Sequence, residues 1–420
     1  MTEVTLECKL ARKYALENIA GSLAYLLIKA TPNPTLDFGS LPLNLGILID
    51  VSRSMKGDKI QYAREASKLV VQSLSPDDMI SIVIFSDNAR AIVPHNEARD
   101  KTSILAAIDK IRTVSGTRMY KGIETAVAEM RKATKPGCIN FMIILTDGET
   151  EREELCLSLA QQEMRNKLVI STFGIGDTYN EGLLKSIADA TLGKIFHLQA
   201  AEQIKTHFGT EVDAARTAVI TNVTLGLCLA NDVKLEETHR IFPNSARLEP
   251  TIETDGKTYS IDINRLTINE SSFFGVKMIL PARPSGPVTE AQISFKYDIP
   301  NLDIKERIDK CDVIVEYTKD RDLCTRIDRE VISYFNQLNA ETLINQAIQE
   351  TKVGNIAEAT KILAQAQTLT QRIGNPALTQ NIGLASEELN GKGVISPGVI
   401  KTIRVGASHT VKIDDADPKR

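Results

Sequence analysis

Tryptophan is absent from this chain of 420 residues, so no site is built on that side chain. Basic charge is not in excess either. Lys and Arg number 50 against 54 Asp and Glu, giving a formal net charge of −4 and a pI near 5.9. Nucleic-acid binding needs a basic face, and that class is excluded. No apolar run approaches the length that spans a bilayer. The first residues, Met1-Thr2-Glu3-Val4-Thr5-Leu6-Glu7, lack a basic stretch leading into an apolar core, so neither a transmembrane segment nor a signal peptide is expected. The six cysteines, at positions 8, 138, 156, 228, 311 and 324, form no Cys-x-x-Cys. They predict reduced thiols in the cytosol.

Catalytic signatures are missing as well. There is no Gly-x-x-x-x-Gly-Lys-Ser/Thr phosphate loop, and Gly174-Ile175-Gly176 has no third glycine opening a helix. The five histidines make no His-Glu-x-x-His, and no Gly-x-Ser-x-Gly elbow occurs. An enzyme is not expected. Length suggests about three domains, and a hydrophobic content of 42% is enough for ordinary cores.

What the chain does have is an apolar run ending in oxygens: Leu45-Gly46-Ile47-Leu48-Ile49-Asp50-Val51-Ser52-Arg53-Ser54. Such a short, unbroken, β-rich run predicts a parallel strand buried on both faces. From Asp58 the period changes to helical, through Ile60, Ala63, Ser67, Val70 and Leu74. Asp50, Ser52 and Ser54 therefore fall on a strand-to-helix loop at the carboxyl edge of a sheet, where open α/β folds place ligands. A carboxylate with two hydroxyls is a hard, oxygen-only set suited to Mg²⁺.

Asp-x-Ser-x-Ser after a buried strand resembles the first loop of a von Willebrand factor type A domain, which opens that family's metal-ion-dependent adhesion site. The family pattern continues with a threonine loop and an aspartate closing a later strand. Ser115-Gly116-Thr117-Arg118 and Leu145-Thr146-Asp147-Gly148 match these in order. The resemblance implies that Ser52, Ser54 and Thr117 ligate a metal through hydroxyls, with Asp50 and Asp147 holding it directly or through water. The expected ion is Mg²⁺, with Mn²⁺ or Ca²⁺ as alternatives. The resemblance also implies a partner protein whose acidic side chain completes the metal shell. An alternative partner is a ring (AAA+) ATPase, on which such domains dock in chelatase-type complexes. A metal-using hydrolase is disfavoured, because hydroxyls and aspartates leave no evident general base beside an open position. Thr117 lies on its own loop and is expected to move independently of the aspartates. Glu149, Glu151, Glu153 and Glu154 are expected to deepen a negative rim.

The expected organisation has five parts. Residues 1–42 supply two alternating strands of a β-sandwich. Residues 43–215 form a doubly wound α/β domain, with helices over 102–114 and 122–133 among others. Residues 216–320 carry short runs divided by turns and complete the sandwich, so the α/β domain is an insertion. Residues 321–390 read as a helical hairpin, with stripes through Leu323, Ile327, Val331 and through Ala359, Leu363, Ala366. Residues 391–420 are expected to be a flexible tail. Its pieces 401–405 and 409–413 alternate, leaving a hairpin, a sheet-edge addition or mobility open.

Overall fold

The computed structural model describes residues 2–132, 137–268 and 270–413. The chain divides into two compact units. One takes residues up to Phe38 together with those from Ile220 onward, and the other is Gly39–Val219. Three strands precede the second unit: β1 (Val4–Leu10), β2 (Tyr14–Leu16) and β3 (Ser22–Pro32).

The second unit alternates strand and helix: β4 (Leu43–Asp50), α1 (Asp58–Ser73), β5 (Met79–Phe85), β6 (Ala89–Glu97), α2 (Lys101–Asp109), α3 (Met119–Met130), β7 (Ile139–Thr146), α4 (Glu153–Arg165), β8 (Val169–Ile175), α5 (Glu181–Ala190), β9 (Ile195–Leu198) and α6 (Gln203–Arg216). Its sheet order is β6-β5-β4-β7-β8-β9, parallel throughout except for β6 at one edge. Every residue of β4, β5 and β8 is buried, which is why β4 and β5 are almost wholly apolar, while β8 also buries Ser171 and Thr172. Helix α3 lies close against the sheet at Gly122, where a Cβ would come within 2.9 Å of Leu48 and 3.0 Å of Phe85. This is a doubly wound α/β unit.

Two helices differ from the expected spans. The helix expected over 102–114 stops at Asp109, because Val114 N–H donates to Val51 O at 2.7 Å and draws the following segment out straight. The one expected over 122–133 begins at Met119 and ends at Met130, and residue 133 lies outside the described residues.

After the second unit come β10 (Ile220–Leu229), β11 (Lys234–Phe242), β12 (Ala246–Arg247), β13 (Thr251–Ile252), β14 (Thr258–Leu266), β15 (Ser272–Leu280), β16 (Gly286–Ile299) and β17 (Ile304–Thr318). They make two sheets, β1-β3-β15-β11-β12 and β13-β14-β10-β16-β17-β2. Phe274 of β15 and Phe295 of β16 meet between the sheets, with ring centroids 6.4 Å apart. The N-terminal strands serve both sheets. β3 is paired on either side by β1 and β15, and β2 runs parallel to the end of β17.

The expected hairpin is a larger helical region: α7 (Arg321–Cys324), α8 (Arg329–Lys352), α9 (Ile356–Ile373), α10 (Pro376–Lys392) and α11 (Pro397–Ser408). Ile344, Ile348, Leu363, Ile382, Leu389 and Ile403 share its core. The start of α8 packs Val331, Tyr334 and Phe335 onto Leu27, Phe242 and Phe273.

The expected flexible tail is also corrected. Pro397 opens α11 after Ser396, and Ile403 and Ala407 recur at helical spacing toward the α8–α10 core, overriding the alternation at 401–405. Beyond it, Gln337 holds Val411 by both backbone groups, at 2.8 and 2.9 Å. Residues 414–420 of that tail lie outside the described residues. Among the described residues no helix is long and apolar enough to cross a membrane.

Removing residues 1–38 deletes the strand that joins β1 to β15, so the remaining 220–420 segment should lose its cooperative thermal transition. A 39–219 fragment should keep one. Circular dichroism melts of the two fragments check this, and a cooperative melt of isolated 220–420 would contradict it.

Candidate metal centre

The strands β4 and β7 are parallel neighbours, with Ile49 opposite Leu145. Their carboxyl ends therefore deliver Asp50 and Asp147 side by side. Both aspartates are 0% exposed. Asp50 Oδ1 accepts from Ser52 N–H at 2.8 Å, and Oδ2 accepts from Thr146 Oγ1 at 2.6 Å. A short 3₁₀ turn, Arg53–Met55, follows Ser52, with Met55 fully buried beneath it. The turn brings Ser54 back so that its Oγ lies 3.0 Å from Ser52 Oγ and donates to Asp147 Oδ1 at 2.7 Å. Asp147 Oδ2 takes a third kind of partner, Lys59 Nζ at 2.5 Å, from the first turn of α1.

Burial pushes the Asp50 carboxyl up to about 6. The Thr146 and Ser52 hydrogen bonds pull the other way, and the charge on Asp147 adds to the rise. Two carboxylates at the floor and hydroxyls toward solvent form an all-oxygen donor set, which fits a small hard divalent cation. Among the described residues no group of three or more His, Cys, Asp and Glu side chains is arranged to hold a metal ion. Any cation here relies on hydroxyls.

Asp50, Ser52, Ser54 and Asp147 are thus joined by hydrogen bonds, but the bonds that join them do not include the Thr117 hydroxyl. Thr117 is half-buried on the loop before α3. That loop is fastened to its neighbours. Thr150 Oγ1 bridges to Thr117 O at 3.0 Å, and Met119 N–H donates to Thr150 Oγ1 at 2.9 Å. Arg118 N–H donates to Ser86 O at 2.8 Å. The expected independence of Thr117 is therefore corrected, since Thr150 couples it to the Asp147 loop. Sequence reasoning missed Lys59, Thr146 and Thr150 as members of the site. Thr146 lay inside the quoted aspartate motif but was given no role there, whereas Lys59 and Thr150 carry no local signal.

The von Willebrand factor type A domain family matches residues 44–210, the span containing this site. Residues 44–210 are a von Willebrand factor type A domain. The Sll0103-like C-terminal alpha-helical domain family matches residues 329–412, which covers α8 to α11. An uncharacterized protein of Synechocystis sp., sll0103, is 25% identical over 265 residues, covering 62% of this chain and 62% of that protein. The uncharacterized Escherichia coli protein YfbK is 29% identical over 199 residues, covering 46% of this chain and 33% of its own length. The match thus spans less than two thirds of either relative. Among solved structures, a von Willebrand factor type A protein from Catenulispora acidiphila superposes with a TM-score of 0.85 at 20% identity, covering 98% of this chain and 97% of that one. That likeness shows a shared fold across both units.

The acidic rim of the von Willebrand factor A domain is more mixed than expected. Arg118 lies 3.4 Å from Glu151 and 3.9 Å from Asp87, and Glu153 accepts from Asn180 at 2.6 Å. Gly116 shapes the threonine loop with φ +92°, a conformation L side chains rarely adopt. A Cβ there would also meet the Asp87 carboxyl, but that side chain can turn aside, so the backbone strain dominates. Gly116→Ala should destabilise the domain by about 1–2 kcal/mol and weaken divalent-cation uptake by displacing Thr117. Thermal melts and calorimetry with Mn²⁺ check both effects.

Proposed function

We propose that this von Willebrand factor A domain is a non-enzymatic, divalent-cation-dependent protein-binding module. The observation that carries the reading is the hydrogen-bonded oxygen cluster Asp50–Ser52–Ser54–Asp147 at adjacent strand ends. Those four side chains with Thr117 would hold Mg²⁺ or Mn²⁺. A bound divalent ion supplies a positive centre at which an acidic side chain of a partner protein can exchange for water.

The chain's own residues prepare that contact. The elevated Asp50 carboxyl is a buried acid that gains a favourable counter-charge when a cation binds. Thr146 and the Ser52 N–H fix its orientation, so each of its oxygens keeps a free lone pair. Ser54, by donating its only proton to Asp147, accepts from the Ser52 hydroxyl and keeps one lone pair for the ion. Ser54 is exposed and Thr117 half-buried, so the hydroxyl side of the cluster is the one a partner reaches.

Calorimetry with Mg²⁺ or Mn²⁺ should show one site in the wild type and none in Asp50→Ala. Equal binding by both proteins removes the assignment. Partners captured from lysate by the wild type with Mg²⁺ should be lost with chelator or with Asp50→Ala. For such a partner, Thr117→Ala at saturating Mg²⁺ should keep the ion and weaken binding roughly tenfold to a hundredfold, the loss of about 1.5–3 kcal/mol for one charge-assisted contact. A ring ATPase that stays bound in chelator would point to metal-independent docking.

A further inference from the structure

The proposed cation site contains one positive charge of its own. Lys59 reaches from the first turn of α1 to place Nζ 2.5 Å from Asp147 Oδ2. Asp147 is fully buried, while the lysine side chain is 31% exposed, so the ammonium approaches from the solvent side of a carboxylate that has no other access to water. Ser54 occupies the other carboxylate oxygen at 2.7 Å. Each oxygen of Asp147 thus has one donor, and only one of the two donors is charged.

We infer that Lys59 is a resident counter-ion that sets the net charge of the cation site, and with it the preference for an anionic partner group. This rests on the reading of the cluster as a divalent-cation site. With both aspartates ionised, Asp50 and Asp147 contribute two negative charges and Lys59 one positive charge. A divalent ion then leaves the ensemble with one net positive charge. Without Lys59 the same ensemble is neutral. Charge in a partly buried site acts through a low effective dielectric, so one unit at this distance changes the attraction for a carboxylate appreciably. The same ammonium repels the incoming ion and shares Asp147 with it. Lys59 therefore trades cation affinity for attraction of the anion that follows. It is a positioning residue, acting on cation and partner through Asp147.

The test uses the full chain, Mn²⁺ as the ion and acetate as the anionic probe. Lys59→Met should bind Mn²⁺ at least fivefold more tightly by calorimetry. Acetate should displace water from the Mn²⁺-loaded variant with a half-saturation concentration severalfold higher, read by water proton relaxation. Lys59→Arg keeps the charge and should track the wild type in both titrations. In chelator, Lys59→Met should melt several degrees lower than the wild type, and Mn²⁺ should restore it. A folded Lys59→Met with wild-type Mn²⁺ and acetate affinities overturns the inference. Weaker Mn²⁺ binding by that variant overturns it too, since Lys59 would then be holding Asp147 in place for the ion. A wild type that takes up no Mn²⁺ overturns the cation-site reading itself, and this inference with it.

Discussion

Two carboxyl side chains sit at the buried ends of neighbouring parallel strands, and their burial constrains everything around them. Taking a carboxylate out of water costs several kcal/mol unless donors replace the lost hydration. The chain supplies those donors locally. Ser52 N–H and Thr146 serve Asp50, and Ser54 and Lys59 serve Asp147. The loop after β4 cannot wander without stripping one of them. Met55 pins the 3₁₀ turn from below, so Ser52 and Ser54 are placed by a packed core contact as well as by hydrogen bonds. Preorganisation of this kind lowers the ordering cost when a ligand arrives.

The third loop is held differently. Thr117 owes its place to backbone ties: Val114 to the loop after β4, Arg118 to the loop after β5, and Thr150 to the loop after β7. Three strand ends thereby meet through one short segment, which α2 leaves early to form. A change at the Asp147 loop is mechanically linked to Thr117 through the Thr150 hydroxyl. Coupling between the parts of the site lies in these contacts, because the Thr117 side chain adds no hydrogen bond to the four-residue cluster.

Much of this was legible in the sequence for one physical reason. Strands buried on both faces are mostly apolar, so residues 45–49, 82–85 and 141–145 of β4, β5 and β7 stand out as unbroken runs, and a polar residue ending such a run marks an edge. Asp50 was found that way, and Asp147 through the family pattern that Asp50 opens. Lys59 was not, because a lysine in the first turn of a helix is ordinary, and only the tertiary fold brings it to Asp147. β11 escaped for the opposite reason. Its segment Lys-Leu-Glu-Glu-Thr-His-Arg-Ile-Phe is largely polar, yet Thr238 and Arg240 are buried and satisfied by the backbone oxygens of Leu248 and Asn244. α11 was misread because five residues of Lys-Thr-Ile-Arg-Val alternate by chance. The wider window through Ala407 has helical period, and packing against α8 to α10 decided between them.

The α/β unit interrupts the chain between β3 and β10, and its own entry and exit are tied by a single buried carboxylate. Asp78, at the amino end of β5, accepts from Leu43 N–H at 2.9 Å, Ser75 N–H at 2.7 Å and Arg216 Nη2 at 2.6 Å. Leu43 begins the first strand of the unit and Arg216 ends its last helix. One residue therefore holds both chain ends at the amino edge of the sheet, while Asp50 and Asp147 hold the candidate cation site at the carboxyl edge. Parallel strands separate the two edges by their full length. Loops at the carboxyl edge can then vary without disturbing the tie that Asp78 makes at the amino edge. An open parallel sheet makes that separation available, which is a physical reason for such a domain to work as an insertion.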